Sequence, residues 1–146
     1  MSQWKIIPEV SHYFVTTTVV SWQFIFTSIP YCEIIIESLK HCILKKGLHL
    51  HAHVIMLNHA HYMISAEEPE RLSGIMRDFN THTSREITRL LREDRRLSIL
   101  SVFRRAAILD GRRNNYKVWQ EGFHPISLET DHLTRQKLGY IHNNPV

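Results

Sequence analysis

The first third of the chain predicts a strand followed by an amphipathic helix. Residues 12–20 (HYFVTTTVV) are rich in β-branched and aromatic side chains, which are typical of a strand. Residues 31–46 place apolar side chains at helical spacing, and Gly47 follows them as a residue suited to end a helix. This order, strand then helix, is a common beginning for a mixed α and β domain.

Two further strands follow the helix and form a predicted hairpin. Residues 49–56 (HLHAHVIM) and 59–65 (HAHYMIS) carry strand-forming side chains and are separated only by Leu57 and Asn58. If these two residues form the loop, Val54 faces His61 and His53 faces Tyr62. Directly opposed residues share a face of the sheet, and a loop of a different length would reverse this assignment.

The second half of the chain is mainly helical in pattern. Pro69 predicts a helix start, and the polar and apolar spacing continues to about residue 93. A second helical pattern follows, with apolar side chains on one face at Leu97, Leu100, Phe103 and Ala107. Residues 110–115 (DGRRNN) predict a loop.

The last part predicts one or two short strands and a final helix. The strands are expected within 116–124, and Thr130 or Asp131 caps a helix that ends near Asn143, before Pro145. The element order is therefore β-α-β-β-α-(α)-β-α. It predicts an α+β fold with an antiparallel sheet and helices packed on it.

Length and charge limit the classes of protein that fit. A chain of 146 residues predicts a single domain over 1–146, and 43% hydrophobic residues exclude a disordered chain. Eighteen basic against 14 acidic side chains give a net charge of +4, which permits a polyanionic partner. The chain contains no signal-peptide profile and no apolar run long enough to span a bilayer. We therefore expect a cytoplasmic protein that does not enter a membrane.

Two His-x-His pairs are the first candidates for chemistry. His51 and His53 lie on the first hairpin strand, whereas His59 and His61 lie on the second. On the register above the two pairs project to opposite faces, so they do not form one site. A His-x-His pair on a strand is more often only a polar face. Asn58, next to His59 at the loop edge, slightly favours the second pair as an open metal site for Mg²⁺, Mn²⁺ or Zn²⁺.

Tyr140 is the second candidate. Tyr140 and Asn144 are four residues apart, so in a helix their side chains share a face. A phenol is a poor nucleophile at neutral pH unless its surroundings assist it. Two imidazoles, an amide oxygen and a phenol are together sufficient for a divalent cation with a tyrosine nucleophile beside it, which indicates phosphodiester chemistry on DNA.

Basic and aromatic side chains between the helices are candidate DNA contacts. Cations would hold phosphates, and aromatic rings could stack on unpaired bases. An ordinary solvated helix end explains the same residues equally well. The candidates are Arg104, Arg105, Arg112, Arg113, Lys117 and Trp119.

Three segments resemble one known family. The run 56–61 (MLNHAH) resembles the Met-Pro-Asn-His-hydrophobic-His signature of HUH-type single-tyrosine transposases. The run 140–146 (YIHNNPV) resembles the Tyr-Ile-His-x-Asn-Pro-Val segment of their REP-associated branch, and 119–125 (WQEGFHP) is similar to the strand that precedes their tyrosine helix. The resemblance covers about residues 10–146, and both main motifs in this order and separation are strongly specific.

The resemblance implies a ferredoxin-like α+β domain and an activity. His59 and His61 would bind Mg²⁺ or Mn²⁺, with Asn144 as the third ligand. Tyr140 would attack single-stranded DNA, leaving a 5′-phosphotyrosine and a free 3′-OH, and a later strand transfer would rejoin the DNA. Element ends that form hairpins would be the substrate. On this resemblance His51 and His53 would have no catalytic role.

Two departures from the family pattern affect these expectations. Leu57 replaces the usual proline before Asn58, which changes a turn residue and no ligand. Relatives continue beyond the position of Val146, so the resemblance predicts a copy truncated at its C-terminus. Family members occur as monomers and as homodimers that exchange the tyrosine helix, and the sequence leaves both open.

Two other functions remain open at the level of the sequence. One is a hairpin-DNA-binding relative that has lost catalysis, and the other is an unrelated metal-dependent hydrolase that does not use the tyrosine. The transposase and the hydrolase differ in one geometric requirement. Tyr140 must lie in the same cleft as His59 and His61 for the transposase, because nucleophile and metal act on one phosphate.

Overall fold

A computed structural model of the chain describes residues 12–112, 115–121, 125–128 and 131–143. Four strands and four helices form within them: β1 (Tyr13–Thr18), α1 (Ile29–Lys46), β2 (Leu48–Ile55), β3 (His59–Ala66), α2 (Leu72–Glu93), α3 (Leu97–Leu109), β4 (Ile126–Ser127) and α4 (Asp131–Asn143). Short 3₁₀ turns at Val20–Trp22 and Pro69–Arg71 precede α1 and α2. None of the helices in these ranges is long and apolar enough to cross a membrane.

The sheet confirms the predicted fold class. Its strand order is β2-β3-β1-β4, and every neighbouring pair is antiparallel. This is the strand order of a ferredoxin-like sheet, in which two β-α-β units interleave. The main core, which includes Tyr62, lies between one face of the sheet and helices α1, α2 and α3.

A second, smaller core covers the other face of the sheet. Phe14, Val54 and Met63 from three adjacent strands pack there against Leu128 and Ile141. Because Ile141 belongs to α4, this apolar contact holds the last helix against the sheet. The arrangement places Tyr140, the neighbour of Ile141, beside the same sheet face.

The hairpin register is confirmed next to its loop. Val54 pairs with His61 and His53 with Tyr62, and the Met56 N–H donates to the carbonyl of His59 at 2.7 Å. Tyr62 points into the main core, so His61 points to the opposite face, where α4 packs. The two-residue loop therefore places the His61 side chain on the same face as Val54, as expected from the sequence.

The face predicted for His51 is wrong. The register shifts between Leu50 and Ala52, which makes His51 the extra residue of a β-bulge. A bulge changes the alternation of side chains along a strand. As a result, the Nε2 atom of His51 lies 2.8 Å from the hydroxyl of Ser65, on the same face as His61. No sequence pattern indicated this bulge.

The strand predicted within 116–124 is also corrected. In its described part, 116–121, only Trp119 pairs in β fashion, as an isolated bridge to Val19. The Lys117 N–H bonds the carbonyl of Phe103, and the Gln120 N–H bonds that of Thr18. Because these partners belong to different elements, residues 116–121 form no continuous β-ladder. The last strand in the described residues is β4. Residues 122–124 lie outside the described ranges.

Other boundaries differ from prediction by a few residues. Helix α1 begins at Ile29 instead of residue 31, since Pro30 fits the first helical turn. It ends, as predicted, at Gly47, whose φ of 76° suits glycine. The helix expected from Pro69 begins with the 3₁₀ turn before α2, and α4 spans the range predicted for the final helix.

Thr83 anchors the segment that leads from α3 towards the site, and its removal should destabilise the fold. The buried Thr83 hydroxyl accepts a hydrogen bond from the Trp119 indole at 3.0 Å and donates to the Phe79 carbonyl. Thr83→Val leaves the indole N–H buried without a partner, so we expect the free energy of unfolding to fall by about 1–3 kcal/mol. Urea unfolding followed by circular dichroism measures this loss.

Thr81 offers a matched control for that substitution. Its exposed hydroxyl makes the same type of bond, to the Arg77 carbonyl at 3.0 Å. Because water can replace this bond, Thr81→Val should change the free energy of unfolding by less than about 0.5 kcal/mol. Equal losses in the two variants would contradict the role given to the Thr83–Trp119 contact.

Candidate functional site

His59 and His61 lie on β3, one of the two central strands of the sheet. Strand β1 pairs with β3 so that Thr16 faces His61 and Thr18 faces His59. Opposed residues share a face, so two histidines and two threonines form one polar patch. Phe14, two residues before Thr16, stacks on the His61 ring with centroids 5.1 Å apart.

His61 is held in a single orientation. Its Nδ1 atom lies 2.8 Å from the Thr16 hydroxyl, and the side chain is only 5% exposed. Its Nε2 atom is buried and has no hydrogen-bond partner among the described residues. Buried polar atoms without partners are rare in folded proteins, so this nitrogen is suited to bind a ligand.

His59 is oriented by Asn58. The Asn58 Oδ1 atom lies 2.7 Å from His59 Nδ1, while its amide nitrogen donates to the Trp22 carbonyl at 3.4 Å. An amide oxygen can only accept, so the His59 ring carries its proton on Nδ1 and keeps the lone pair on Nε2. Fixing one ring nitrogen so that the other can bind a metal is the usual arrangement of metal-binding histidines.

Tyr140 lies directly beside these histidines. Its ring centroid is 5.1 Å from that of His61 and 6.2 Å from that of Phe14, and the His59 and His61 rings are 4.9 Å apart. Tyr140 is 48% exposed, although the next residue, Ile141, is buried. The buried Ile141 thus holds the Tyr140 ring beside the two histidines, and the phenol remains open to solvent. We call the space bordered by His59, His61 and Tyr140 the cleft.

Positive charge and burial define the electrostatics of the cleft. The Lys137 ammonium, one helical turn before Tyr140, lies 6.0 Å from the Tyr140 ring and 4.9 Å from the Phe14 ring. Burial, and then the charges of His59 and Lys137, lower the pKa of His61 to about 4. Burial also lowers the pKa of His59. Both imidazoles are therefore neutral at neutral pH, as metal ligands must be.

The lowered pKa of His61 predicts a loss of stability in acid. The unfolded chain binds a proton at His61 near pH 6.5 and the folded chain only near pH 4, so stability falls as pH drops through this window. From about pH 8 to about pH 5 the metal-free protein should lose on the order of 2 kcal/mol at this residue. Urea unfolding in the presence of chelator measures the loss.

The His61 contribution is separated from that of other histidines by two variants. His61→Gln should remove this part of the pH dependence. His53→Gln removes an exposed histidine from the adjacent strand and leaves the cleft intact, so it is the matched control. If both variants lose stability in acid as the unmodified protein does, His61 does not titrate as its burial requires.

The donor atoms present fit a divalent cation. His59 keeps a lone pair on Nε2, and the Nε2 atom of the neighbouring His61 has no hydrogen-bond partner among the described residues. Two imidazole nitrogens leave most coordination positions of a divalent cation to oxygen ligands. No group of three His, Cys, Asp or Glu side chains that could hold a metal occurs in the described part of the chain. Asn144, predicted as the third ligand, lies outside the described residues.

Sequence reasoning missed three side chains of this site. Thr16 and Phe14 contact His61 only because β1 pairs with β3, and no pattern in the sequence specifies that pairing. Lys137 precedes Tyr140 by three residues, so a helical wheel would have placed the two on neighbouring positions. The structure thus adds a hydroxyl, an aromatic ring and an ammonium to the predicted residues.

The candidate DNA contacts are distributed unevenly. Arg105 and Arg112 are exposed, and the Arg104 guanidinium lies 5.9 Å from the Tyr116 ring, which Arg92 also contacts at 5.0 Å. Arg113 lies outside the described residues. The exposed arginines on α3 and the following loop therefore remain available for phosphates.

Two of the candidate DNA contacts are occupied within the fold. Lys117 is largely buried and forms an ion pair with Asp110, so its charge is already compensated. Trp119 is only 8% exposed; its ring stacks on Phe26 with centroids 6.0 Å apart. Its hydrophobic environment explains this burial, and the structure removes Trp119 from the side chains that can stack on a base.

The family of the chain follows from a comparison over nearly its whole length. The sequence model described as "Transposase IS200 like" matches residues 12–144, which include both histidines and the tyrosine. The chain belongs to the IS200-like transposase family. No curated protein matches this sequence.

Solved structures share the fold of this IS200-like transposase. A REP-associated tyrosine transposase bound to a REP hairpin superposes with a TM-score of 0.65 at 14% identity, over 99% of this chain and 73% of the other. A candidate transposase from Deinococcus radiodurans R1 gives a TM-score of 0.57 at 12% identity, over 100% of this chain and 99% of the other. At these identities the likeness establishes the fold.

Proposed function

We propose that this protein is a metal-dependent transposase that cuts and rejoins single-stranded DNA through a phosphotyrosine at Tyr140. The observation that carries the proposal is the 5.1 Å separation of the Tyr140 and His61 rings. A nucleophile and a metal site must reach the same phosphate. Residues 79 positions apart in sequence meet this requirement on one face of the sheet.

His59 and His61 are the proposed metal ligands, through their Nε2 atoms, and Asn144 is the proposed third ligand. Asn58 holds the His59 ring by Nδ1, so its Nε2 lone pair is directed before a cation binds, and the contact with Thr16 fixes the orientation of the His61 ring. Mg²⁺ or Mn²⁺ bound there would polarise a phosphate oxygen and offset the charge that develops on it. The Lys137 ammonium adds a second positive charge to the same cleft.

Tyr140 is the proposed nucleophile. Its phenolic oxygen attacks the phosphorus, the P–O3′ bond breaks, and the leaving oxygen takes a proton to become a 3′-OH. The phenolic proton passes to solvent, which reaches this half-exposed side chain. In the rejoining step a 3′-OH attacks the 5′-phosphotyrosine, and the phenol is released. The phosphotyrosine conserves the bond, so no external energy source is needed.

The proposed substrate is single-stranded DNA that forms a hairpin. The net charge of +4 suits a polyanion, and the structure with a TM-score of 0.65 is that of a transposase bound to a REP hairpin. The position of Tyr140 beside His61 favours this proposal over a hydrolase that uses the histidines alone. Catalysis without the tyrosine would not require an open phenol at the cleft.

A covalent adduct is the direct test. The protein is incubated with labelled single-stranded hairpin DNA and Mn²⁺, followed by denaturing electrophoresis and by mass spectrometry of the labelled peptide. A labelled adduct at Tyr140, absent when the cation is chelated, is the expected result. Salt-dependent binding to a broad hairpin library without any adduct would instead identify a DNA-binding relative that does not catalyse.

A further inference from the structure

The turn after β1 presents an exposed tryptophan in an unfavourable backbone conformation. Ser21 and Trp22 have φ of 54° and 55°, in the left-handed region that residues with a Cβ rarely adopt. Trp22 is 60% exposed and Phe24 is 53% exposed. The exposed Trp22 side chain contributes little to the core, and backbone conformations of this unfavourable kind cluster at functional sites.

This turn is attached to the loop of Leu57 and Asn58, which directly precedes the candidate metal ligand His59. The Trp22 carbonyl accepts a hydrogen bond from Asn58, the residue whose amide oxygen orients His59. The Val19 N–H bonds the carbonyl of Asn58 at 2.9 Å, and the Ile25 N–H bonds that of Leu57 at 3.1 Å. One amide side chain therefore links the backbone of Trp22 to the His59 ring, so the turn that carries the exposed indole is adjacent to the residue that orients a candidate metal ligand.

The charge beside this turn suits a nucleic acid strand. The Arg96 guanidinium donates to the Phe24 carbonyl at 3.2 Å and lies 5.5 Å from the Tyr31 ring. Tyr31 is buried, so Arg96 contributes its charge next to the Phe24 backbone while Trp22 and Phe24 supply the exposed rings. Proteins hold single strands with cations that bind phosphates and aromatic rings on which bases stack.

We propose that Trp22 stacks on an unpaired base of the DNA strand and so positions that strand beside the Tyr140 and His59 cleft. This inference rests on the proposed function and names how the same site holds its substrate. It assigns to Trp22 the stacking role that the burial of Trp119 excludes for that residue. Stacking depends little on base identity, so Trp22 would contribute affinity and position more than sequence choice.

The test compares two probes that differ only in their bases. Fluorescence anisotropy measures binding of oligo(dT) and of an abasic phosphodiester chain of equal length, without divalent cation. The unmodified protein should prefer oligo(dT) by at least about fivefold, as expected for one stacked base. Trp22→Ala should lose this preference while its affinity for the abasic chain and its salt dependence stay unchanged. Trp22→Phe should retain most of the preference.

Leu44 provides the matched control. It is an exposed apolar residue near the end of α1, where the chain enters β2 at the end opposite to His59, so Leu44→Ala should leave the preference intact. Circular dichroism confirms that each variant is folded. An unchanged preference in Trp22→Ala, or an equal loss for both probes, would overturn the inference. So would a change in oligomeric state on sedimentation, which would assign Trp22 to contact with a second copy.

Failure of this inference is distinguishable from failure of the proposed function. A Tyr140 adduct together with an unchanged base preference in Trp22→Ala rejects only the stacking role. A lost preference without any adduct in the unmodified protein supports the stacking role and rejects catalysis. If the unmodified protein itself shows no preference for oligo(dT), the stacking role is rejected directly.

Discussion

Tyr140→Phe should abolish the covalent adduct and lower DNA cleavage by about 10³-fold to 10⁶-fold, the range seen when a nucleophile is removed. The substitution removes only the phenolic oxygen. The ring keeps its edge contacts with His61 and Phe14, so the helix remains in place against the sheet. Hairpin binding should therefore change by less than about twofold, because no phosphate-binding cation is lost.

Denaturing electrophoresis with labelled hairpin DNA measures cleavage and adduct together, and a binding assay without divalent cation measures affinity. Tyr116→Phe is a suitable control, since Tyr116 is a tyrosine packed between Arg92 and Arg104, away from the histidines. That variant should retain the adduct. An adduct that persists in Tyr140→Phe would assign the nucleophile to another residue, and unchanged cleavage without any adduct would indicate hydrolysis by water.

The fold was largely predictable because its elements are specified locally. The β-branched run that forms β1, the helical spacing closed by Gly47 and the two-residue loop at Leu57 and Asn58 each indicate one element of the fold. The loop length also determined the hairpin register next to it, and hence the face of His61. Local sequence patterns were thus enough to predict the order of the elements and the sheet face on which the β3 side chains lie.

Features that depend on tertiary packing were not predictable in this way. The bulge at His51 is one residue long and leaves no pattern, yet it moves that side chain to the other face. Trp119 looks equally suited to stacking on a base or on Phe26, and only the packing of the turn before α1 decides between them. Thr16 joined the site through a strand pairing between residues 45 apart.

The same distinction explains what the histidine pairs could and could not reveal. Both pairs have the same spacing, and the sequence separated them only through Asn58 and the family resemblance. In the structure His61 is buried and its Nε2 atom has no partner in the described part of the chain, whereas His53 is exposed on the outer strand. The physical difference between the two pairs is burial, which residue spacing does not encode. Substitution of His53 can therefore serve as a control for substitution of His61 in the same sheet.

His59→Ala and His61→Gln should each weaken Mn²⁺ binding by at least about tenfold to a hundredfold and lower cleavage by about a thousandfold, because each removes a proposed metal ligand. His53→Ala, in the neighbouring pair, should change neither quantity. Isothermal titration calorimetry measures Mn²⁺ affinity without DNA, so the ligand role is tested separately from activity. Circular dichroism excludes unfolding, which matters most for the buried His61.

Asn58→Ala tests whether the orientation of the His59 ring contributes to metal affinity in addition to the presence of the imidazole. Its amide holds the His59 ring by Nδ1, so Mn²⁺ affinity should fall by about tenfold, less than in His59→Ala, since the imidazole is still present. If His53→Ala weakens Mn²⁺ binding as much as His61→Gln does, the cation is not bound in the cleft beside Tyr140. The short distance from Tyr140 to His61 would then have no catalytic meaning, and a hairpin-binding relative without catalysis would be the better description.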